Sequence, residues 1–132
     1  MCPQIATELA KFVVETRCSD IPQDVVDFTK GLMLKTVAGT LAGSATPSGR
    51  KMSHIIKSRN LGKDAGVIGC GFKTSLWESI LLNAFLAHAS ELEDDSFVGG
   101  VSWDITVIPL LLPLAEHLRI FGTRVIARRL TQ

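Results

Sequence analysis

The stretch "SLWESILLNAFLAHA", residues 75–89, decides the fold class of this chain. Ser75 is followed three residues later by Glu78, and this spacing is typical of a capping box, in which the serine accepts an amide hydrogen bond and the glutamate reaches back. The apolar run that comes next predicts a buried and well-defined helix. We expect this helix to end at Leu92 or Glu93 and to be followed by a loop as far as Asp104.

Periodic apolar residues predict further helices on both sides of this one. Their expected bounds are residues 4–17, 22–42, 50–59 and 107–121, with a short sixth helix after Thr123. Pro113 is expected to kink the helix at 107–121 or to mark its true start. The glycine-rich segment 60–71 leaves room for at most a short strand pair near residues 65–72. The predicted class is therefore mostly α, with five to six helices.

The predicted core lies where the apolar faces of these helices meet. Its residues are Val25, Phe28, Leu32, Leu81, Leu82, Phe85, Leu86, Leu111 and Leu114. Gly31 and Gly39, inside the second helix, suggest close approach of another helix. Trp77 and Trp103 are interpreted as packing residues.

The composition bounds the class of protein. The 132 residues are 46% hydrophobic and 20% charged, as expected for one globular domain with a genuine core. The net charge of +1 provides no overall field for nucleic acid or an anionic membrane, so neither is a predicted partner. The three cysteines have no C-x-x-C spacing, so neither a disulfide framework nor a metal site is predicted.

The same composition bears on location. The longest apolar run, residues 105–115, is too short to span a bilayer. The first residues match neither a signal peptide nor a transit peptide. We therefore expect a soluble intracellular protein, either cytoplasmic or mitochondrial.

The segment "HASELEDDS", residues 88–96, is the main candidate for chemistry. It carries four carboxylates within five positions: Glu91, Glu93, Asp94 and Asp95. At helical spacing His88 and Glu91 would meet one turn apart. Carboxylates at a helix C-terminus oppose the macrodipole, each at a cost of about 0.3 to 1 kcal/mol. The segment is therefore open to two interpretations, a solvated helix end or an active site.

Two other sets of residues give weaker evidence for a function. "GVIGCGFKTS" has Thr74 where a dinucleotide-binding fingerprint needs its third glycine, and no βαβ unit surrounds it, so nucleotide binding is not predicted. His54 and His117 have polar neighbours on their helices and are interpreted as surface residues rather than metal ligands.

Five segments, in order, resemble the opening of the MmgE/PrpD family, which includes 2-methylcitrate dehydratase and cis-aconitate decarboxylase. They are "ATELAKFVVE", "DIPQDVVDFTKGLMLKTVAGTLAGS", "AGVIGCGFKTS", "LLNAFLAHASELEDDS" and "VIPLLLPLAEHL". The resemblance implies metal-free lyase chemistry on small tricarboxylates, with no cofactor. Family members are several times longer and have a second, smaller α/β domain. Residues 1–132 are therefore interpreted as a single truncated helical domain, the N-terminal part of such an enzyme.

The resemblance also assigns site residues. In the family, a pattern like H-A-x-D-F-D-D-T lines the pocket, and here His88 matches its histidine while residues 91–94 match D-F-D-D conservatively. Asp95 falls on the threonine position unless one residue is inserted, in which case Ser96 does. Glu91 is thereby implied as the catalytic residue. The implied substrate-binding residues are His88, Asp94, Asp95, Ser96 and Ser102.

Three departures from the family pattern put catalysis in doubt. Counting back from "VIP", the family's catalytic histidine falls on Ser102, and Trp103 and Asp104 replace its neighbours. Serine cannot replace imidazole as an acid and base near neutral pH. Lys35 occupies a position where the family usually has Asp. A later lysine and histidine of the family have no counterpart in this sequence.

Two functions remain open. One is a member or fragment of this lyase family that is inactive as an isolated chain. The alternative is a non-catalytic helical protein that associates with itself or with a full-length relative. Helices that in the family pack on later segments should leave apolar area uncovered here, so a homo-oligomer, such as a dimer, is expected.

Overall fold

A computed structural model describes residues 2–96 and 99–120 of the chain. Five α-helices lie within these ranges: α1 (Cys2–Glu15), α2 (Gln23–Ser44), α3 (Pro47–Arg59), α4 (Leu76–Ala89) and α5 (Asp104–His117). A single 3-10 turn, Cys18–Asp20, joins α1 to α2. The mostly α fold class is confirmed. The predicted sixth helix lies outside the described residues.

Two short strand pairs accompany the helices. β1 (Ala65–Gly66) pairs antiparallel with β2 (Lys73–Thr74), at the place where one pair was expected. β3 (Asp95–Ser96) pairs antiparallel with β4 (Val101–Ser102), within a segment predicted to be a loop. This second pair was not predicted, because its strands are too short to show a period of two.

The ends of α4 and α5 differ from the predicted bounds. The Ser75 side chain caps α4 as expected and accepts the Glu78 amide at 3.4 Å. Glu78 does not complete a capping box, because its carboxylate pairs with Arg59 of α3 at 2.7 Å. α4 ends at Ala89, before the predicted Leu92 or Glu93. α5 begins at Asp104 and contains Pro113, so this proline does not mark its start.

α4 is the central helix and packs against α2, α3 and α5. The crossing with α2 is a close contact of backbones, since a Cβ built on Gly43 would lie 1.8 Å from the Leu86 carbonyl oxygen. The predicted close approach at Gly39 is found, with Ser90 Oγ 3.3 Å from its hypothetical Cβ. The same prediction for Gly31 is wrong, because nothing lies within 4 Å of that position.

The core lies between α3, α4 and the β1–β2 hairpin. Its buried apolar residues are Ile56, Val67, Leu82 and Leu86, with Met52, Cys70 and Phe72 packed against them. Of the predicted core, Leu82 and Leu86 are buried, while Leu32, Leu111 and Leu114 are partly buried. Leu81, Phe85, Val25 and Phe28 are exposed, as are Trp77 and Trp103. The prediction was wrong for the residues of α4 because this helix is apolar on nearly all sides, yet only part of its surface meets other helices. Val25 and Phe28 lie in the first half of α2, and their side chains remain exposed.

None of the helices in the described ranges is long and apolar enough to cross a membrane.

Candidate functional site

The predicted site residues lie where the end of α4, the β3–β4 hairpin, α2 and the start of α5 meet. We call this region the acidic wall and define it as residues 88–96 with Ser102 and Asp104. The chain leaves α4 at Ala89, and Glu91 adopts φ 52°, a left-handed conformation that ends the helix. The Glu91 amide donates to the His88 carbonyl at 3.0 Å. The reversal sends the carboxylates after Glu91 back toward α2 and α5 instead of along the helix.

His88 does not pair with Glu91 as helical spacing predicted. Its Nδ1 lies 3.0 Å from Oε1 of Glu93, which is mostly buried. The Glu91 side chain is exposed and forms no hydrogen bond or ion pair with any residue that the structure describes. The residue implied to be catalytic therefore lies at the edge of the acidic wall, and Glu93 is the carboxylate held by the histidine.

A charge network connects the wall to α2. Lys35 Nζ lies 2.7 Å from Asp94 Oδ1 and 3.5 Å from Asp104 Oδ2. Only 3% of the Asp104 side chain is exposed, so its charge needs close partners. The Thr36 hydroxyl lies 3.1 Å from Oδ2, and the Asp94 amide donates to Oδ1 at 3.2 Å. Asp104 thus joins α2, the acidic segment and α5 at one buried point.

The β3–β4 hairpin supplies a further polar contact of the acidic wall. Ser102 Oγ donates to Asp95 Oδ1 at 2.5 Å, across the β3–β4 pair. Ser96 pairs with Val101 in the same hairpin, and its side chain lies outside what the structure describes. The second carboxylate oxygens of Glu93 and Asp94 are shielded from solvent and accept no hydrogen bond from the described residues. These two oxygens are the acceptors that the wall leaves open.

The family assignment rests on the whole domain. The sequence matches the MmgE/PrpD N-terminal domain over residues 7–128, which includes every residue of the acidic wall. The chain belongs to the MmgE/PrpD family. A cis-aconitate decarboxylase-like protein of Aspergillus oryzae is 29% identical over 112 residues, covering 85% of this chain and 23% of that protein. The chain thus spans less than a quarter of the length of this relative. No solved structure matches the chain.

The structure of this MmgE/PrpD domain brings most of the predicted residues together. His88 pairs with Glu93, Asp94 with Lys35 and Asp95 with Ser102, so these residues lie along one continuous segment and its hairpin, and Glu91 stands at the margin. Sequence reasoning missed the pairing of Lys35 with Asp104. The signal in the sequence was their opposite charge, which does not by itself select a partner. In the described part of the chain, no group of three or more His, Cys, Asp or Glu residues is arranged to hold a metal ion.

Proposed function

We propose that this MmgE/PrpD chain forms one wall of a lyase pocket for a small tricarboxylate, and that it is inactive as an isolated chain. The reaction would be dehydration of 2-methylcitrate or decarboxylation of cis-aconitate. The observation that supports the proposal is the Lys35–Asp94–Asp104 network, in which Asp94 belongs to the segment that resembles the family's pocket-lining motif. The relative named as cis-aconitate decarboxylase-like adds support for the decarboxylation.

The wall contains at most half of an acid/base pair. Both reactions need a group that gives or takes a proton beside the bound polyacid. The resemblance implies Glu91 as the carboxylate of this pair, and the family's histidine falls on Ser102, whose hydroxyl already donates to Asp95. A serine hydroxyl cannot act as a general acid and base near neutral pH as an imidazole does. Without a group that transfers this proton, the chemical step cannot proceed.

The charge of the wall also opposes an anionic substrate. Its carboxylates are Glu91, Glu93, Asp94, Asp95 and Asp104, against His88 within the wall and Lys35 of α2 beside it. Two like charges 4 Å apart repel by about 4 kcal/mol at an effective dielectric constant near 20. The cations that bind the substrate carboxylates must therefore come from other residues.

A direct assay tests the inactivity. The purified chain should release no carbon dioxide from cis-aconitate and form no new carbon–carbon double bond from 2-methylcitrate, at any rate above buffer. Turnover that co-purifies with the chain and is abolished in Glu91→Gln or Asp94→Asn would contradict this prediction. Such a result would mean that the wall is a complete catalytic site.

A chimera tests the role of the wall itself. Residues 7–128 would replace the matching segment of an active cis-aconitate decarboxylase of the family. We expect the Ser102→His chimera to decarboxylate cis-aconitate at least about a hundredfold faster than the chimera with Ser102, since a positioned proton-transfer group contributes about 10²- to 10⁴-fold. If both chimeras fold with equal melting temperatures and neither is active, or both are equally active, the proposal is wrong.

The alternative function, a non-catalytic protein that associates with itself or a relative, is favoured by a separate observation. The apolar residues of α1 and of the first half of α2 are exposed, including Leu9, Phe12 and Phe28. Exposed apolar patches of several hundred Å² are typical of interaction surfaces. We propose on this basis that the chain forms a homo-oligomer.

A further inference from the structure

A cavity of about 580 Å³ lies between the end of α3 and the β1–β2 hairpin. We call it the lysine pocket, and its polar and aromatic lining residues are Lys57, Asn60, Lys63, Phe72, Lys73 and Thr74. We propose that the lysine pocket binds a small anion that carries two or more negative charges on phosphate or carboxylate groups. It shares no residue with the acidic wall, and the proposal does not depend on the lyase function.

The charges around the pocket support an anion. Lys57 comes from the last turn of α3, Lys63 from the loop that follows, and Lys73 from β2. No acidic residue lines the cavity. Glu116 neutralises Lys73 at 2.7 Å, but Lys57 and Lys63 have no carboxylate partner among the described residues. Ammonium groups that share one cavity repel each other unless an anion lies between them.

A buried hydroxyl provides an independent observation. Thr74 lines the same cavity and is only 2% exposed. Its Oγ1 has no hydrogen-bond partner within the described part of the chain. A buried polar group without a partner destabilises a protein, and native structures contain few of them. This hydroxyl is shielded from solvent beside the lysine pocket, so an anionic oxygen would accept its hydrogen bond after a shift of the lining that exposes it.

The shape and lining of the cavity set the size of the ligand. Lys57 Nζ lies 5.7 Å from the centre of the Phe72 ring, a cation–π distance that holds the ammonium beside the pocket. Ile56 and Val67 add apolar surface to the lining. A volume of about 580 Å³ lies within the range of small-molecule sites, roughly 300 to 1,000 Å³. The pocket therefore suits a polyanion larger than a single phosphate ion.

Titration of the full chain at low salt tests the proposal. Inorganic pyrophosphate and citrate would be added in separate calorimetric experiments, so that the tighter ligand distinguishes phosphate from carboxylate chemistry. We expect saturable binding of at least one, and shifts of the Asn60, Gly71 and Thr74 amide signals in nuclear magnetic resonance spectra. Absence of saturation by both probes up to about 10 mM would overturn the proposal. So would shifts confined to residues 88–104, which would instead place the anion at the acidic wall.

Two variants and a control localise the binding. Lys63→Gln should weaken binding at least about tenfold, because a hydrogen bond to a charged group is lost. Lys51→Gln removes the same charge from an exposed position of α3 outside the cavity and should leave the affinity within about twofold. Equal losses in the two variants would show general charge attraction and no pocket.

Thr74→Val separates a role in binding the anion from a role in stability, because the two roles predict different changes in affinity and melting temperature. Valine keeps the shape of threonine and removes the unpartnered hydroxyl, so the melting temperature of the free chain should stay the same or rise. The affinity for the anion should nevertheless fall by about threefold or more. A variant that binds the anion as tightly as the original chain would contradict the assignment of Thr74 to the site.

Discussion

Glu116 shows how one side chain can join two elements. From α5 it accepts the Gly66 amide at 2.7 Å and pairs with Lys73 at 2.7 Å, and so contacts both strands of the β1–β2 hairpin. The hydrogen bond from Lys73, followed by that from the Gly66 amide, holds the pKa of the Glu116 carboxyl below its ordinary value. The carboxylate form is therefore favoured by folding.

This geometry predicts a pH-dependent contribution to stability. Because the pKa of Glu116 is lower in the folded than in the unfolded chain, its contribution is present above the unfolded-state pKa and is lost as pH falls through the folded-state pKa. Glu116→Gln should lower the free energy of unfolding at pH 7 by about 1 kcal/mol, a small value because the side chain is partly exposed to screening solvent. Urea unfolding should show the difference at pH 7 and little of it below the folded-state pKa.

A matched control accompanies this measurement. Glu8→Gln removes the same charge from an exposed pair on α1, in which Glu8 and Lys11 are 3.8 Å apart. It should leave the free energy of unfolding unchanged at both pH values. A loss for Glu116→Gln that is equally large in acid would show that the contact acts through shape rather than charge.

Between elements, the close crossing of α2 and α4 depends on a glycine, Gly43, which has no side chain. A Cβ at Gly43 would lie 1.8 Å from the Leu86 carbonyl oxygen and 2.8 Å from its carbon. The obstructing atoms belong to the backbone, so the two helices must move apart to accept any side chain. The close approach at this point brings α2 against the end of α4, and Lys35, nearer the start of α2, contacts Asp94 and Asp104.

Two alanine substitutions in the same helix should have opposite effects. Gly43→Ala should lower the free energy of unfolding by about 2 to 3 kcal/mol, because of overpacking. Gly31→Ala should raise it by about 0.5 to 1 kcal/mol, since nothing lies within 4 Å and alanine favours the helix. Chemical denaturation followed by circular dichroism measures both values. Similar effects for the two variants would show that the helices do not cross closely at Gly43.

For the molecule as a whole, the main feature without a packing partner is the apolar surface of α1 and of the first half of α2. Phe12 of α1 and Phe28 of α2 are each 68% exposed, and Ile5, Leu9 and Val13 are more than half exposed. Burial of apolar surface stabilises by about 25 cal/mol per Å². Covering these side chains in a contact between copies of the chain would therefore be favourable.

We expect the chain to sediment as a dimer or a larger species at micromolar concentration. Phe12→Asp should raise the dissociation constant at least about tenfold, because a charge cannot be buried in an apolar contact without a partner. Ile55→Asp makes the same kind of change at an exposed position of α3 and should have little effect. A stable monomer for the original chain would contradict the expected self-association.

Local interactions made much of this molecule predictable from its sequence. Ser75 and the apolar run after it predicted α4, because capping and helical periodicity involve residues only a few positions apart. The order of five motifs predicted the family. The tertiary structure decided which residues of each helix are buried. The helical spacing of apolar residues shows which side chains share a face, but it does not show which face packs against another helix. The tertiary structure also decided that His88 pairs with Glu93 and that Lys35 lies between Asp94 and Asp104. These contacts depend on the turn at Glu91 and on the crossing of distant helices, and charge energies follow the distances that only packing sets.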